Sequence, residues 1–472
     1  MKKIYLFLFL LVLLTPVFSA DRDEKDWTDE YSPLFLYGLG LTEAQISNIA
    51  LWGFNRYVTQ ADYGMISFDS MRTNLTNPWV WDQDEFAVNH MGHPYQGALY
   101  YGAARSSGNG FWSSLSITAL GSVSWELLME TETPSINDLI VTTMGGVSFG
   151  EMLFRLSDVV LYGEEGTIDN PGVFRWIGAT ALSPMTSLNH GLLPGRPPEA
   201  RDVSGFSSLT LGYSFADVSF LPRPDSILKA NGFSLTYNLL LDYGSPFIKK
   251  GQGAPFDWFS LRTGAGLNFN NELFLTLFTA GHLGGWTLYG KKDHVRNQLG
   301  FYLHYDFIYN RIINLGANSI GPGWIRTSQR GKWTLDTRVY LNLVAMGASD
   351  LIYLKYNDIV NEPPDYERRN YSLSSGVNLK AGLYANRDRK TWLDLVYNGY
   401  NLYIIDASVP DSGAGGKEII GSLDLALRQK MGKNLYLGLQ GTIYHKESFY
   451  HEPLLDIDEL LWKTGISTGF RF

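Results

Sequence analysis

The 472-residue chain has no cysteine. Disulfides, thiolate zinc sites, iron–sulfur clusters, a cysteine nucleophile and lipid attachment through a lipoprotein cysteine are therefore excluded. Charge is scarce: Asp, Glu, Lys and Arg make up 18% of the residues, against ~25% in ordinary soluble domains. Basic charge is scarcer still, with 38 Lys and Arg against 47 Asp and Glu and a net charge of −9. The basic footprint of a nucleic-acid partner is missing. What the chain has instead is 49 glycines, 14% aromatic residues and a hydrophobic share of 45%. That content excludes intrinsic disorder for most of the chain.

Long apolar runs are also rare, and the clearest stands at the start. Lys2 and Lys3 precede the uninterrupted run Ile4–Leu14, and Pro16 leads into Val17-Phe18-Ser19-Ala20. The run is short for a bilayer span, and Asp21, Asp23 and Glu24 follow without a stop-transfer pattern. Residues 1–19 are read as a secretory signal peptide cleaved after Ser19, with small residues at Val17 and Ser19.

Residues 206–472 repeat a period of two. Leu209, Leu211, Tyr213 and Phe215 alternate with Thr210, Gly212 and Ser214, and Leu423, Leu425 and Leu427 alternate with Asp424 and Arg428. One apolar and one polar face per segment means half-buried strands. Asn270-Asn271, Asn386-Arg387-Asp388 and Gly432-Lys433-Asn434 have the composition of short turns, and Lys249–Pro255, Asn318–Lys332, Asn361–Arg369 and Val409–Lys417 that of longer loops. Short turns alternating with long loops mark a transmembrane antiparallel β-barrel, here of about twelve strands between Ser207 and Phe472. Aromatics at strand ends suit interfacial girdles: Tyr243, Trp258, Trp286, Tyr289, Tyr309, Trp333, Trp392, Tyr397, Tyr400 and Tyr403. The last strand alternates and closes on Phe472, which resembles the assembly signal of bacterial outer-membrane barrels. His304, Asp306, Asp336, Arg338, Asp394, Asp424, Arg428 and Arg471 fall on the polar face, and their mixed signs argue against an ion-selective pore.

Residues 79–190 have helical character instead, over Asp84–Arg105, Phe111–Thr131, Ser135–Leu161 and Pro171–Ser187. Ser113, Ser114, Ser116, Thr118, Ser122 and Ser124 in the second segment suit close helix–helix packing. The expected arrangement is an α-helical domain packed in or under the barrel. Residues 20–78 are an aromatic, irregular lead-in with a short helix at Thr42–Trp52.

The helical part also carries the specific residues. Trp79-Val80-Trp81-Asp82 runs on to Asn89-His90-Met91-Gly92-His93-Pro94, then Trp125-Glu126, Pro134-Ser135-Ile136-Asn137-Asp138 and Gly145-Gly146-Val147-Ser148-Phe149-Gly150-Glu151. This stretch, roughly residues 79–160, resembles the bacterial domain-of-unknown-function family numbered 3943. The resemblance implies an envelope protein with a barrel-like remainder and no established activity.

Two readings of these polar residues stay open. Glu126 and Glu130 are four apart and share a helix face, and His90 and His93 are three apart. His93, Glu126 and Asp138 are the candidate catalytic residues of an envelope hydrolase or lipid-modifying enzyme, acting as acid and base or holding a metal. Asn89, His90, Arg105, Glu130, Asn137, Glu151 and Arg155 form the wider binding or structural cluster. The structural reading has Ser135 and Asp138 starting a helix, charged residues pairing to fix helix register, and the glycines letting helices approach. No zinc-protease, nucleophile-elbow or phosphate-loop motif is present, and no particular metal or cofactor is specified. The expected partners are outer-membrane lipid, the barrel assembly machinery and a small-molecule or lipid substrate, with no nucleic acid. The main expectation is an outer-membrane barrel with a helical plug or periplasmic cap in a structural or transport-type role.

Overall fold

The computed structural model describes residues 31–168, 170–193, 196–221, 226–247, 253–268, 273–289, 294–310, 313–355, 369–410 and 413–472. The expected signal peptide, residues 1–19, lies outside the described residues. The chain divides into two compact units: the described residues up to Asp82 with Ala87–Arg201, and Gln83–Phe86 with Asp202–Phe472.

The first unit is helical. Helix α1 (Pro33–Phe54) starts where Ser32 Oγ accepts the Phe35 N–H, with proline in its first turn. Helix α2 (Phe68–Thr76) opens on a reciprocal capping box between Ser67 and Ser70. The lead-in expected to be irregular is thus largely helical. Its helix runs well beyond Thr42–Trp52, because its caps are serines among other polar residues and carry little signal. Helix α3 (His93–Ser106) follows a π-helical turn at Val88–Gly92, and α4 covers Phe111–Leu128. Helix α5 (Ile136–Tyr162) is capped by Ser135 and ends at Gly163, whose φ is +78°. The expected last helix is broken at Ser183-Pro184 into α6 (Val173–Leu182) and α7 (Pro184–Leu192), since proline cannot continue the hydrogen-bond ladder.

Helices α3 and α5 touch through glycine. A Cβ on Gly97 would lie 1.9 Å from the Thr142 carbonyl oxygen, and one on Gly146 would lie 2.5 Å from Gly97 Cα. Among the described residues, α5 is the helix long and apolar enough to cross a membrane by length and composition, and 61% of that stretch is buried.

The second unit is a closed antiparallel barrel of twelve strands. They are β1 (Val203–Phe220), β2 (Ser226–Gly244), β3 (Trp258–Asn268), β4 (Leu273–Tyr289), β5 (Val295–Tyr309) and β6 (Leu315–Arg330). Then come β7 (Trp333–Asp350), β8 (Tyr371–Arg387), β9 (Thr391–Ile404), β10 (Gly416–Lys430), β11 (Leu435–Tyr450) and β12 (Ile457–Arg471). Each pairs with its sequence neighbours, and β1 closes on β12 with Leu211 opposite Ile466. Closure removes every sheet edge, as a strand structure in lipid requires.

Alternation decides what faces where. Leu209, Leu211, Leu235, Leu379, Leu393, Leu425, Leu437, Ile466 and Phe470 are exposed. Thr236, His304, Asp306, Asn342, Lys380, Asp394 and Arg428, on the other parity, are buried. In water this barrel would be inside out. An apolar outer band around a polar interior is the architecture of an outer-membrane barrel of the Gram-negative type.

The end carrying both barrel termini has tight turns, such as residues 388–390 between β8 and β9. The longest connection, between Asp350 of β7 and Tyr371 of β8, leaves from the opposite end, as does that between Ile404 of β9 and Gly416 of β10. One pair departs from this rule: β2 and β3 are joined by residues 245–257 at the terminus end.

Two expectations need correction. Asn318–Lys332 is not a loop, because Leu315–Arg330 is strand β6. Its Gly321-Pro322-Gly323 has the look of a turn, yet Gly321 and Gly323 face inward against Leu341 and Tyr340 of β7. The aromatic girdle is also partial. Trp286, Trp333, Tyr397 and Tyr403 are exposed, whereas Trp258, Trp392 and Tyr400 are buried on inward positions, and Tyr243 is buried although it shares the outward parity of Leu235 and Tyr237.

Candidate functional site

The helical unit gathers the predicted residues into two groups. A parallel bridge between Val80 and Ser135, with Val80 N–H donating to the Pro134 carbonyl at 2.9 Å, lays residues 80–82 beside the start of α5. Asp82 N–H donates to Asn137 Oδ1 at 2.9 Å, and Asn89 Nδ2 donates to Asp82 Oδ2 at 2.6 Å. Asn137 Nδ2 donates to Asp138 Oδ1 at 2.8 Å, and the Asp138 N–H is capped by Ser135 Oγ at 3.2 Å. Glu126 Oε2, from α4, accepts the Ser135 N–H at 2.7 Å. His93 Nδ1 is 3.0 Å from Thr142 Oγ1 and its Nε2 is 3.8 Å from Asp138 Oδ1. Glu130 Oε2 accepts the Trp125 indole N–H at 3.0 Å.

This first group concentrates negative charge in a buried place. Burial pushes the Glu126 carboxyl up to about 8, and Asp138 and Asp82 reinforce the shift against the opposing pull of His93 and the Ser135 N–H. Glu130 is likewise raised, by burial first and then by Glu126, Asp138 and Asp82. His90 is fully buried in the turn that precedes α3.

Arg105, Glu151 and Arg155 form a separate network. Arg105 Nε donates to Glu151 Oε2 at 2.7 Å, and Arg155 Nε donates to Glu151 Oε1 at 2.6 Å. Tyr101 Oη donates to Glu151 Oε2 at 2.8 Å. Glu199 supplies the second carboxylate, 2.7 Å from Arg105 Nη2 and 3.1 Å from Arg155 Nη2. Burial alone would raise the Glu151 carboxyl, but Arg105 and Arg155 outweigh it and hold it below the usual value. Sequence reasoning missed Glu199. The signal available was arithmetic: two arginines on apolar helices need more than one carboxylate.

Inside the barrel, ion pairs join strands that are not neighbours. Arg338 on β7 grips Asp242 on β2 at 2.8 and 2.7 Å, and its guanidinium lies over the rings of Tyr384 and Trp258. Lys380 on β8 is 2.6 Å from Asp306 on β5, whose other oxygen accepts Tyr400 Oη of β9 at 2.8 Å. Lys446 on β11 reaches Asp350 on β7 at 3.3 Å, and Arg262 on β3 reaches Asp424 on β10 at 3.3 Å. Near the terminus end lies a cavity of about 310 Å³ lined by Asp242, Arg262, Arg338, Tyr384, Trp392 and Arg471, among others. Toward the opposite end Val218, Ile308, Leu315, Val344, Leu402 and Ile420 pack with Leu351, Ile352 and Tyr353, around the buried Lys446, which also lies within 3.5 Å of Glu418 and Glu459.

Residues 78–185 match the family described as Domain of unknown function (DUF3943). The match includes the stretch whose resemblance was noted above and extends through α6. No curated protein gives a significant match to the chain. Among solved structures, the barrel is similar to an outer membrane channel from Pseudomonas putida F1, at 14% identity and a TM-score of 0.29, covering 59% of this chain and 99% of that one. It is also similar to a Pseudomonas aeruginosa FadL homologue, at 8% identity and a TM-score of 0.24, covering 57% and 90%. A third is the Pseudomonas putida toluene transporter TodX, at 9% identity and a TM-score of 0.20, covering 58% and 90%.

Proposed function

We propose that this protein is an outer-membrane barrel with a transport-type role, closed in the conformation described, and served by its helical unit as a plug or periplasmic cap. The observation that carries the reading is the barrel interior. Side-chain ion pairs cross it between non-neighbouring strands, beside a cavity that combines guanidinium groups with the rings of Trp392 and Tyr384. Such a lining suits a small molecule with an apolar body and a polar group: rings take the body and arginine takes the group. Export by a cleaved signal over residues 1–19 and delivery to the barrel assembly machinery through the Phe472 terminus belong to the same reading.

The His93, Glu126 and Asp138 group is assigned a structural role. The Glu126 carboxyl accepts a backbone N–H, the Asp138 carboxyl accepts an amide, and His93 Nδ1 meets the Thr142 hydroxyl within the unit. A buried polar seam of this kind fixes one packing of α3, α4 and α5. The enzymatic reading lacks a comparable observation.

The test is conductance and solute uptake by the mature protein in planar bilayers and liposomes. The wild type should be nearly silent, and Arg338→Ala or Lys380→Met should raise uptake of small aromatic carboxylates while the folded mobility on SDS gels persists. Folded variants that stay as tight as the wild type would overturn the transport reading and leave a purely structural barrel.

A further inference from the structure

The register of β11 against β12 sets Glu447 directly opposite Asp458. His445 stands two residues before Glu447 on the same outward side of β11, while Tyr444, Lys446 and Ser448 take the buried inward positions. Like charges directly opposite across a strand pair repel, yet here the side chains converge. His445 Nε2 is 2.7 Å from Asp458 Oδ1 and 3.7 Å from Glu447 Oε1. One ligand atom from each residue lies within 4.8 Å of the other two, and no other set of His, Asp or Glu among the described residues does this. Zinc binds imidazole nitrogen and carboxylate oxygen at ~2.0–2.2 Å, which puts neighbouring ligand atoms ~3 Å apart in a four- or six-coordinate shell. The observed separations bracket that value. The three side chains are between 33% and 41% exposed, so water has access to the remaining coordination positions.

We propose that His445, Glu447 and Asp458 form a divalent transition-metal site of the zinc class on the outer face of the barrel, near the end opposite the start of β1 and the end of β12. Imidazole in the donor set favours Zn²⁺, Ni²⁺ or Cu²⁺ over Mg²⁺ and Ca²⁺, which take oxygen ligands. The bound ion replaces the repulsion between Glu447 and Asp458 with shared coordination and pins β11 to β12. The site lies on the outer face and is independent of any traffic through the interior.

The experiment uses untagged mature protein folded in detergent, titrated with Zn²⁺ by calorimetry and with Co²⁺ by visible absorption. The expected result is one saturable equivalent. His445→Ala, Asp458→Asn and the milder Glu447→Gln should each weaken binding at least tenfold and abolish the Co²⁺ band, with SDS mobility unchanged. His451→Ala, outside the cluster, should bind as the wild type does. Absence of saturable binding, binding indifferent to the three substitutions, or equal competition by Ca²⁺ would overturn the assignment.

Discussion

Asp306 on β5 and Lys380 on β8 meet at 2.6 Å inside the barrel, both almost wholly buried, and Tyr400 of β9 closes the group from a third strand. The strands that carry the pair are not neighbours, so the contact spans the interior rather than running along its wall. Breaking one partner leaves the other charge buried and unpaired, which costs about 3–5 kcal/mol, whereas removing both is far milder. Asp306→Asn should therefore lower the urea midpoint of the lipid-embedded barrel sharply. Asp306→Asn with Lys380→Met should recover most of the loss. Tryptophan fluorescence across a urea series measures both, and equal losses for the single and double variants would contradict the pairing.

Glu126 makes the helical unit sensitive to pH. Its carboxyl stands at about 8 against an ordinary 4.5, raised first by burial and then by Asp138. A carboxyl with a higher value folded than unfolded takes up a proton on folding, so its stabilisation is full below the unfolded value and is lost as pH rises toward the folded one. Between about pH 4.5 and pH 8 the loss from this group is on the order of 4 kcal/mol. Thermal melts of the helical circular-dichroism signal should fall across that window in the wild type and much less in Glu126→Gln, which keeps an acceptor for the Ser135 N–H.

The α3–α5 crossing leaves no space for a methyl group. Gly97→Ala would put its Cβ 1.9 Å from the Thr142 carbonyl, and forced overpacking costs about 1–3 kcal/mol. The same helical melt should drop for Gly97→Ala, and for Gly146→Ala, which meets Gly97 from the other side. Gly38→Ala, with no atom within 4 Å of the added methyl, should leave the melt unchanged or raise it.

How much of this was legible in sequence follows from what each signal depends on. The outward face was readable because Leu423, Leu425 and Leu427 alternate strictly, and all three are exposed. Asn318–Lys332 misled because an inward strand face in a membrane barrel is polar and glycine-rich, the composition that marks a loop in water. Trp258 misled differently: position at a strand end was visible, but inward parity was not. Tyr243 keeps outward parity yet is buried, its ring stacked on Phe259 at 4.6 Å. In the helical unit, charged residues on apolar helices stood out, so His93, Glu126, Glu130 and Asp138 were found. Asp82 and Thr142, which lie in that group, and Glu199, which pairs with Arg105 and Arg155, are ordinary polar residues whose roles became visible only once the chain folded. The pairing of Arg338 with Asp242 likewise depends on barrel closure, which no local pattern encodes.

The absence of cysteine gives the most direct test of the central claim, that the Leu-bearing face of the barrel meets lipid. A single thiol at Leu425, exposed at mid-strand in β10, and another at Asp388 in the β8–β9 turn would be unique reporters. In lipid vesicles, Leu425→Cys should resist a membrane-impermeant maleimide and react with a lipid-soluble one, while Asp388→Cys reacts with the impermeant reagent from the side it faces. Equal, rapid labelling of both by the impermeant reagent in intact vesicles would contradict a membrane-spanning barrel.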